Sequence, residues 1–156
     1  MTPTFRPLTP EDSEELIDLR LDLWPDCPLA EQRDEIAAAL VGDGIIIVAD
    51  MDGVLAGFAE VSIRWDYVEG TQGSPTPYLE GWYVRPDYRG QHIGTGLLRY
   101  VESWAAARGY RELASDTELE NTASIALHGK LGFREAGRIV CFVKPLPPPE
   151  PENPET

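Results

Sequence analysis

Apolar residues recur along this chain at two spacings, and the alternation between the two predicts its elements in order. Phe5 to Leu8 is short and strand-like. Thr9-Pro10-Glu11-Asp12 then reads as a helix start, with Thr9 as N-cap, Pro10 in the first turn and the acids at the positive helix end. Leu16, Leu19, Leu23 and Trp24 keep helical spacing as far as Pro25. Leu29 to Val41 predicts a second helix, with Ile36, Ala37 and Leu40 on its apolar side and Gly42-Asp43-Gly44 as its stop. The β-branched run Ile45 to Ala49 and the longer Val54 to Trp65, joined at Asp52-Gly53, predict an antiparallel pair.

Asp66 to Pro77 is rich in turn residues and too long for a tight hairpin, the profile of a surface loop that carries function. Tyr78 to Val84 predicts the next strand. Ile93, Leu97, Leu98, Val101, Trp104 and Ala105 hold the 3.6 period of a long amphipathic helix closed by Gly109. Arg111 to Ser115 is expected to run parallel to the strand before that helix, because a helix of this length makes a crossover. Asn121 to Leu131 predicts another helix with Gly132 at its C-cap, and Phe133 to Ala136 and Arg138 to Lys144 the last strands, joined through Gly137. The fold class is therefore α/β: a mixed, mostly antiparallel sheet with a central parallel β-α-β unit. One domain is expected over 1–146, and 147–156 is a proline-rich tail expected to be extended or disordered.

Composition narrows the function classes. A chain of 156 residues that is 42% hydrophobic supports one core. Thirteen basic residues against twenty-seven acidic ones give a net charge of -14, which repels nucleic acid and anionic lipid and attracts polycations. There is no membrane-length apolar run, and the first residues lack the pattern of a secretory signal, so a cytoplasmic location is expected. Cys27 and Cys141 are read as buried thiols of a reduced compartment. With His92 and His128 as the only histidines, no metal site is expected.

The chemistry concentrates in Glu80 to Leu98, EGWYVRPDYRGQHIGTGLL. A strand enters a glycine-rich turn that opens a helix, which aims free backbone N–H groups and the positive helix end at one point; a phosphate fits there. This stretch resembles the acyl-CoA pyrophosphate loop of the GNAT superfamily of N-acetyltransferases, R/Q-x-x-G-x-G/A. Setting Arg89 at the first position puts His92 where a glycine usually stands and Gly94 at the second; Gln91, Gly94 and Gly96 also satisfy the pattern. A side chain at His92 narrows the backbone choices of the turn. Asn121 to Ser124 and Leu131-Gly132-Phe133 match later family motifs.

Across nearly the whole chain before the tail, DYVEGT, LEGWYV and ASDTELENTAS resemble the aminoglycoside 6'-N-acetyltransferases. The resemblance implies acetyl-CoA as donor, a polycationic aminoglycoside as acceptor and a homodimer formed through the C-terminal strands. It also assigns residues. The turn Arg89, Gly90, Gln91, His92, Ile93, Gly94 and Thr95 would receive the pyrophosphate. Asn121 would face the pantetheine arm. Backbone N–H groups at Tyr83 and Val84, where the family strand bulges, would bond the thioester carbonyl.

Amine acetylation needs a neutral nitrogen, so a carboxylate beside the acceptor ammonium can bind it and take its proton. Glu80 is placed for that role. Asp116 ends the following strand and, with Asp66, would face further ammonium groups, or else it caps a turn. Trp24 and Tyr67 would stack on sugar rings, although Trp24 also suits core packing. Trp82 and Trp104 are assigned to the core or an interface, and Glu69 and Glu118 to solvent. His128 stands where many family members carry a tyrosine acid, and either protonates the leaving thiol or packs beside the donor. The competing readings are acetylation of another polyamine or of a protein amine, and a silent acyl-CoA-binding sensor.

Overall fold

Among the described residues five strands form one sheet in the order β1-β2-β3-β4-β5, antiparallel except for the last pairing. The computed structural model describes residues 2–154. The strands are β1 Thr4–Pro7, β2 Ile45–Met51, β3 Val54–Arg64, β4 Thr76–Val84 and β5 Ala114–Ser115. The helices are α1 Ser13–Leu23, α2 Leu29–Val41, α3 Ile93–Ala107 and α4 Thr122–Lys130, with short 3-10 turns at Pro10–Asp12 and Pro86–Tyr88.

The period of two in β2 and β3 divides the core. Ile47, Ala49, Ala59, Val61 and Ile63 face α3, whose Ile93, Leu97, Leu98, Val101 and Trp104 pack against them. Ile46, Val48 and Phe58 face α1 and its Leu16, Ile17 and Leu19. One charge lies inside this second layer. Arg20 is 1% exposed; its Nε donates to Gln32 Oε1 at 2.6 Å and its Nη1 to Glu60 Oε2 at 2.7 Å, and it also pairs with Glu35. Burying a guanidinium is costly unless it is fully partnered, so this hub ties α1, α2 and β3 together. Burial pushes the Glu60 carboxyl up, and Arg20 opposes that.

Helix starts follow the local chemistry. Asp12 accepts from the Thr9 N–H at 2.8 Å and the Thr9 hydroxyl at 3.0 Å, closing the 3-10 turn that leads into α1. On α2 the buried residues are Gln32 and Ile36, while Ala37 and Leu40, expected on the apolar side, are exposed. The bond from Arg20 to Gln32 explains that rotation: a polar pair, not the apolar stripe alone, sets the inward face.

The C-terminal expectation is corrected. Among the described residues no strand follows β5, and Phe133–Ala136 and Arg138–Lys144 carry no ladder. The expected strand from Arg111 is reduced to Ala114–Ser115. Strand propensity needs a partner edge to satisfy the backbone, and residues 138–144 leave the domain without one in their own chain. Phe142 is 92% and Val143 95% exposed. Cys141, expected to be buried, is exposed on this arm; both cysteines are free thiols. Residues 147–154 are likewise exposed and without helix or strand, and residues 155–156 of the expected tail lie outside the described residues.

Candidate active site

Glu80 owes its position to a break in the β3–β4 ladder. Glu60 pairs with Gly81 and Val61 with Leu79, so Glu80 is the extra residue of a β-bulge. The expected bulge at Tyr83 and Val84 is thereby corrected, because pairing runs regularly from Val84 to Gly81. Two successive residues now address the α1/α2 face. Glu80 reaches Ser62 there, and Gly81 lies beneath Trp24, where a Cβ would fall 2.6 Å from the indole Cη2. Trp24 is half-buried, edge-on to Phe58 at 6.2 Å with the Arg20 guanidinium 4.8 Å from its ring centre. A core contact thus stands Trp24 over Gly81, the residue after Glu80.

Both Glu80 oxygens are engaged. Oε1 accepts from Ser62 Oγ at 2.6 Å and Arg64 Nε at 2.9 Å, and Oε2 from Arg64 Nη2 at 2.9 Å. The Arg64 guanidinium also lies 3.4 Å from the centre of the Tyr78 ring, and the Tyr78 hydroxyl donates to Asp116. Burial and the Asp116 bond hold the Tyr78 hydroxyl well above its usual range, while the bonds to Glu80 raise Arg64. Two acids distant in sequence, Glu80 and Asp116, are joined through one arginine and one tyrosine. Asp66 and Tyr67 follow Arg64 on the loop and remain exposed, Tyr67 by 71%.

On the opposite edge, β4 parts from β5. Their parallel ladder comprises Tyr78 with Ala114 and Leu79 with Ser115, and ends before the bulge. The Arg85 N–H donates to Ala56 O at 2.8 Å. By antiparallel alternation the Val84 N–H turns away from β3 toward the gap, and the Tyr83 N–H turns toward β3. The Tyr83 side chain goes elsewhere, its hydroxyl donating to Asp22 at 2.9 Å.

Beyond the gap the turn uses two left-handed residues, Gly90 at φ +80° and His92 at φ +61°. His92 is the cap of α3 and adopts a conformation that histidine tolerates better than β-branched residues do. In the first turn of α3, the N–H groups of Ile93, Gly94 and Thr95 have no carbonyl to serve within the helix. Arg89 Nε donates to Val84 O at 2.9 Å, holding the turn to the end of β4. Trp82 adds a second tie, its Nε1 donating to Gly94 O at 2.9 Å. An exposed, positively polarised turn beside an open strand edge fits the diphosphate and extended arm of an acyl-CoA.

Asn121 has a structural duty, its Oδ1 accepting from the Ser124 N–H at 3.1 Å as the cap of α4. His128 is enclosed. Nδ1 lies 2.8 Å from Ser124 O and Nε2 2.9 Å from Ser115 Oγ, with the ring edge-on to Trp82 and Phe133. A carbonyl can only accept, so Nδ1 carries a proton toward Ser124 O, and Nε2 shares a hydrogen bond with the Ser115 hydroxyl. That arrangement holds the ring in place between α4 and β5.

Cys27, Glu31 and Glu35 bring ligand atoms within 4.8 Å of one another. Glu35 is paired with Arg20, and burial with the two acids pushes the Cys27 thiol up.

Sequence reading passed over Ser62, Arg64, Tyr78 and Gly81. One signal was available: Glu60, Ser62 and Arg64 are polar residues at period two in an otherwise apolar strand, the mark of a face with a purpose.

Residues 9–133 match the acetyltransferase (GNAT) family. The chain is 45% identical over 149 residues to an aminoglycoside N(6')-acetyltransferase type 1 of Stenotrophomonas maltophilia, covering 94% of this chain and 95% of that protein. It is 41% identical over 150 residues to an enzyme of the same name from Klebsiella aerogenes, covering 93% and 98%. Among solved structures, AAC(6')-Iy in complex with the bisubstrate analogue CoA-S-monomethyl-acetylneamine superposes with a TM-score of 0.88 at 36% identity, covering 94% of this chain and 100% of that one. AAC(6')-Ih of Acinetobacter baumannii superposes with a TM-score of 0.85 at 36% identity, covering 92% and 99%.

Proposed function

Since the chain belongs to the GNAT acetyltransferase family and, within it, to the aminoglycoside N(6')-acetyltransferases, we propose that it transfers an acetyl group from acetyl-CoA to the 6'-amine of an aminoglycoside, with Glu80 receiving that amine. The observation that carries this reading is the bulge at Glu80, next to the Gly81–Trp24 contact, with Arg64 and Tyr78 linking Glu80 to Asp116. Acetyl-CoA supplies the activated acetyl group. The residues of the chain do the rest.

An aminoglycoside arrives as a polycation and meets a protein of net charge -14. Glu80 binds the reacting ammonium and draws off its proton, which exposes the nitrogen lone pair. Asp116, with Asp66 on the neighbouring loop, holds other ammonium groups, and Trp24 and Tyr67 offer flat faces to the sugar rings. The Val84 N–H, turned toward the gap, is the donor for developing negative charge on the carbonyl oxygen. Arg89, Gly90, Gln91, His92, Ile93, Gly94 and Thr95 form the diphosphate cradle by backbone N–H groups and helix polarity. Asn121 and His128 shape the wall of the gap, and His128 acts as a positioning residue.

The reading extends to the assembly. The exposed apolar arm 138–146 is unpaired in its own chain, so a second copy supplies the missing edge and the protein works as a homodimer in the cytoplasm, where its donor is made.

Thiol release from acetyl-CoA with kanamycin as acceptor tests the function. Wild type releases thiol, and Glu80→Gln lowers kcat/KM by roughly 10²- to 10⁴-fold with unchanged thermal stability. His128→Ala costs less than Glu80→Gln in a single-turnover format. Binding of acetyl-CoA without thiol release on any amine would instead mark a sensor.

A further inference from the structure

Arg64 links Glu80 to Tyr78 in the reading above but has no chemical role there, yet it makes a two-point charged contact with Glu80. Its guanidinium spans both oxygens of Glu80 and stacks on Tyr78, whose hydroxyl binds Asp116. The acid that must receive a substrate cation already holds an internal one.

We infer that Arg64 is a stand-in for the acceptor ammonium, occupying Glu80 in the empty site and exchanging with the acceptor as it binds. The inference rests on the proposed acetyl transfer to a polycationic amine. Three features support exchange over a permanent pair. Glu80 must turn an oxygen to the amine, and Arg64 now holds both: Oε1 is saturated by Ser62 and Arg64 Nε, and Oε2, with Arg64 Nη2 on it, keeps a single lone pair. The pair is accessible, with side-chain exposures of 43% for Arg64 and 30% for Glu80, so water compensates each partner when they separate. Arg64 is also the last residue of β3, directly before the exposed segment of Trp65, Asp66 and Tyr67, which leaves its side chain room to swing out.

The exchange has a consequence for acceptor choice. Replacing one cation by another leaves the charge balance at Glu80 nearly unchanged, so that contact alone contributes little to affinity. Binding strength must then come from the acceptor's other ammonium groups on Asp116 and from its rings on Trp24. Such a site selects amines that carry several charges. Ser62 stays with Glu80 during exchange and keeps the carboxylate aimed by its 2.6 Å hydrogen bond.

The experiment compares wild type, Arg64→Gln and Arg64→Lys by steady-state kinetics with kanamycin, and by calorimetric binding of kanamycin without acetyl-CoA. Arg64→Gln is expected to lower the kanamycin KM and Kd about threefold to tenfold, the range for an exposed bidentate pair with a stacked ring. The acetyl-CoA KM is expected to be unchanged, and Arg64→Lys, which keeps the charge without the two-point contact, to give a kanamycin KM between those of wild type and Arg64→Gln. Methylguanidinium at matched ionic strength should compete with kanamycin in Arg64→Gln and not in wild type, which a merely structural arginine does not predict. An unchanged or raised kanamycin Kd in Arg64→Gln, or no competition by methylguanidinium, overturns the inference. Wild type that fails to acetylate kanamycin or any other amine defeats the functional reading instead, and the calorimetric arm tells the two failures apart.

Discussion

Gly81→Ala asks whether one missing methyl group positions the acceptor wall. A Cβ at this position would lie 2.6 Å from Trp24 Cη2, 3.0 Å from Cζ2 and 3.2 Å from Phe58 Cε2. Neither ring can yield freely, since Phe58 is fully buried and Trp24 is wedged between it and Arg20. Overpacking of this kind costs about 1–3 kcal/mol. The backbone of Gly81 is not in the left-handed region, so alanine recovers about 0.4–1 kcal/mol through a less flexible unfolded chain. The net expectation is a loss of about 1–2 kcal/mol, a fall in Tm of about 2–8 °C for a chain of this size. Trp24 must shift, so the kanamycin KM rises while the acetyl-CoA KM holds. Urea unfolding of Gly81→Ala in wild-type and Trp24→Leu backgrounds isolates the cause. With the indole gone the alanine should cost nothing, giving a coupling of about 1–2 kcal/mol. Equal cost in both backgrounds, or no cost in either, would refute the contact as the reason for glycine here.

Asp12 is held at about 2, below its ordinary 3.8, chiefly by its hydrogen bond with Arg6. A depressed carboxyl stabilises the fold above its ordinary pKa and loses that contribution as pH falls through about 2. Asp12→Asn should therefore cost about 1–2 kcal/mol in urea unfolding at pH 7, and the difference from wild type should shrink between pH 4 and pH 2. His92→Gly should change stability by under about 0.5 kcal/mol and keep acetyl-CoA affinity, whereas His92→Val at φ +61° should lose about 1–2 kcal/mol and weaken acetyl-CoA in calorimetry. Deleting residues 138–156 should turn a dimer into a monomer in sedimentation velocity; a monomeric full-length chain would end the arm-pairing proposal.

The order and type of elements up to α4 were legible because each obeys a local rule. A β-branched run marked β2, the Asp52-Gly53 turn tied it to β3, period 3.6 marked α3, and proline and glycine punctuated them. The acyl-CoA loop motif lies on one continuous strand-turn-helix stretch, so the cofactor cradle could be read from neighbouring residues. Where the chain meets itself over long separations, local rules were silent. The bulge at Glu80 is a mismatch between β3 and β4 that neither strand shows alone. The Arg64–Glu80–Asp116 connection joins the end of β3, the bulge in the middle of β4 and the residue after β5. Ala37 and Leu40 were misplaced because a buried arginine, not the apolar stripe, rotates α2.

The C-terminal arm shows the same division from the other side. Residues 138–144 carry strand-forming side chains, and that much is local. A strand, however, exists only with a partner edge to satisfy its backbone, and the fold of one chain supplies none there. Composition and periodicity settle what a segment is able to become. Pairing, burial and the opposition of charges settle what it is, because those energies belong to contacts between segments.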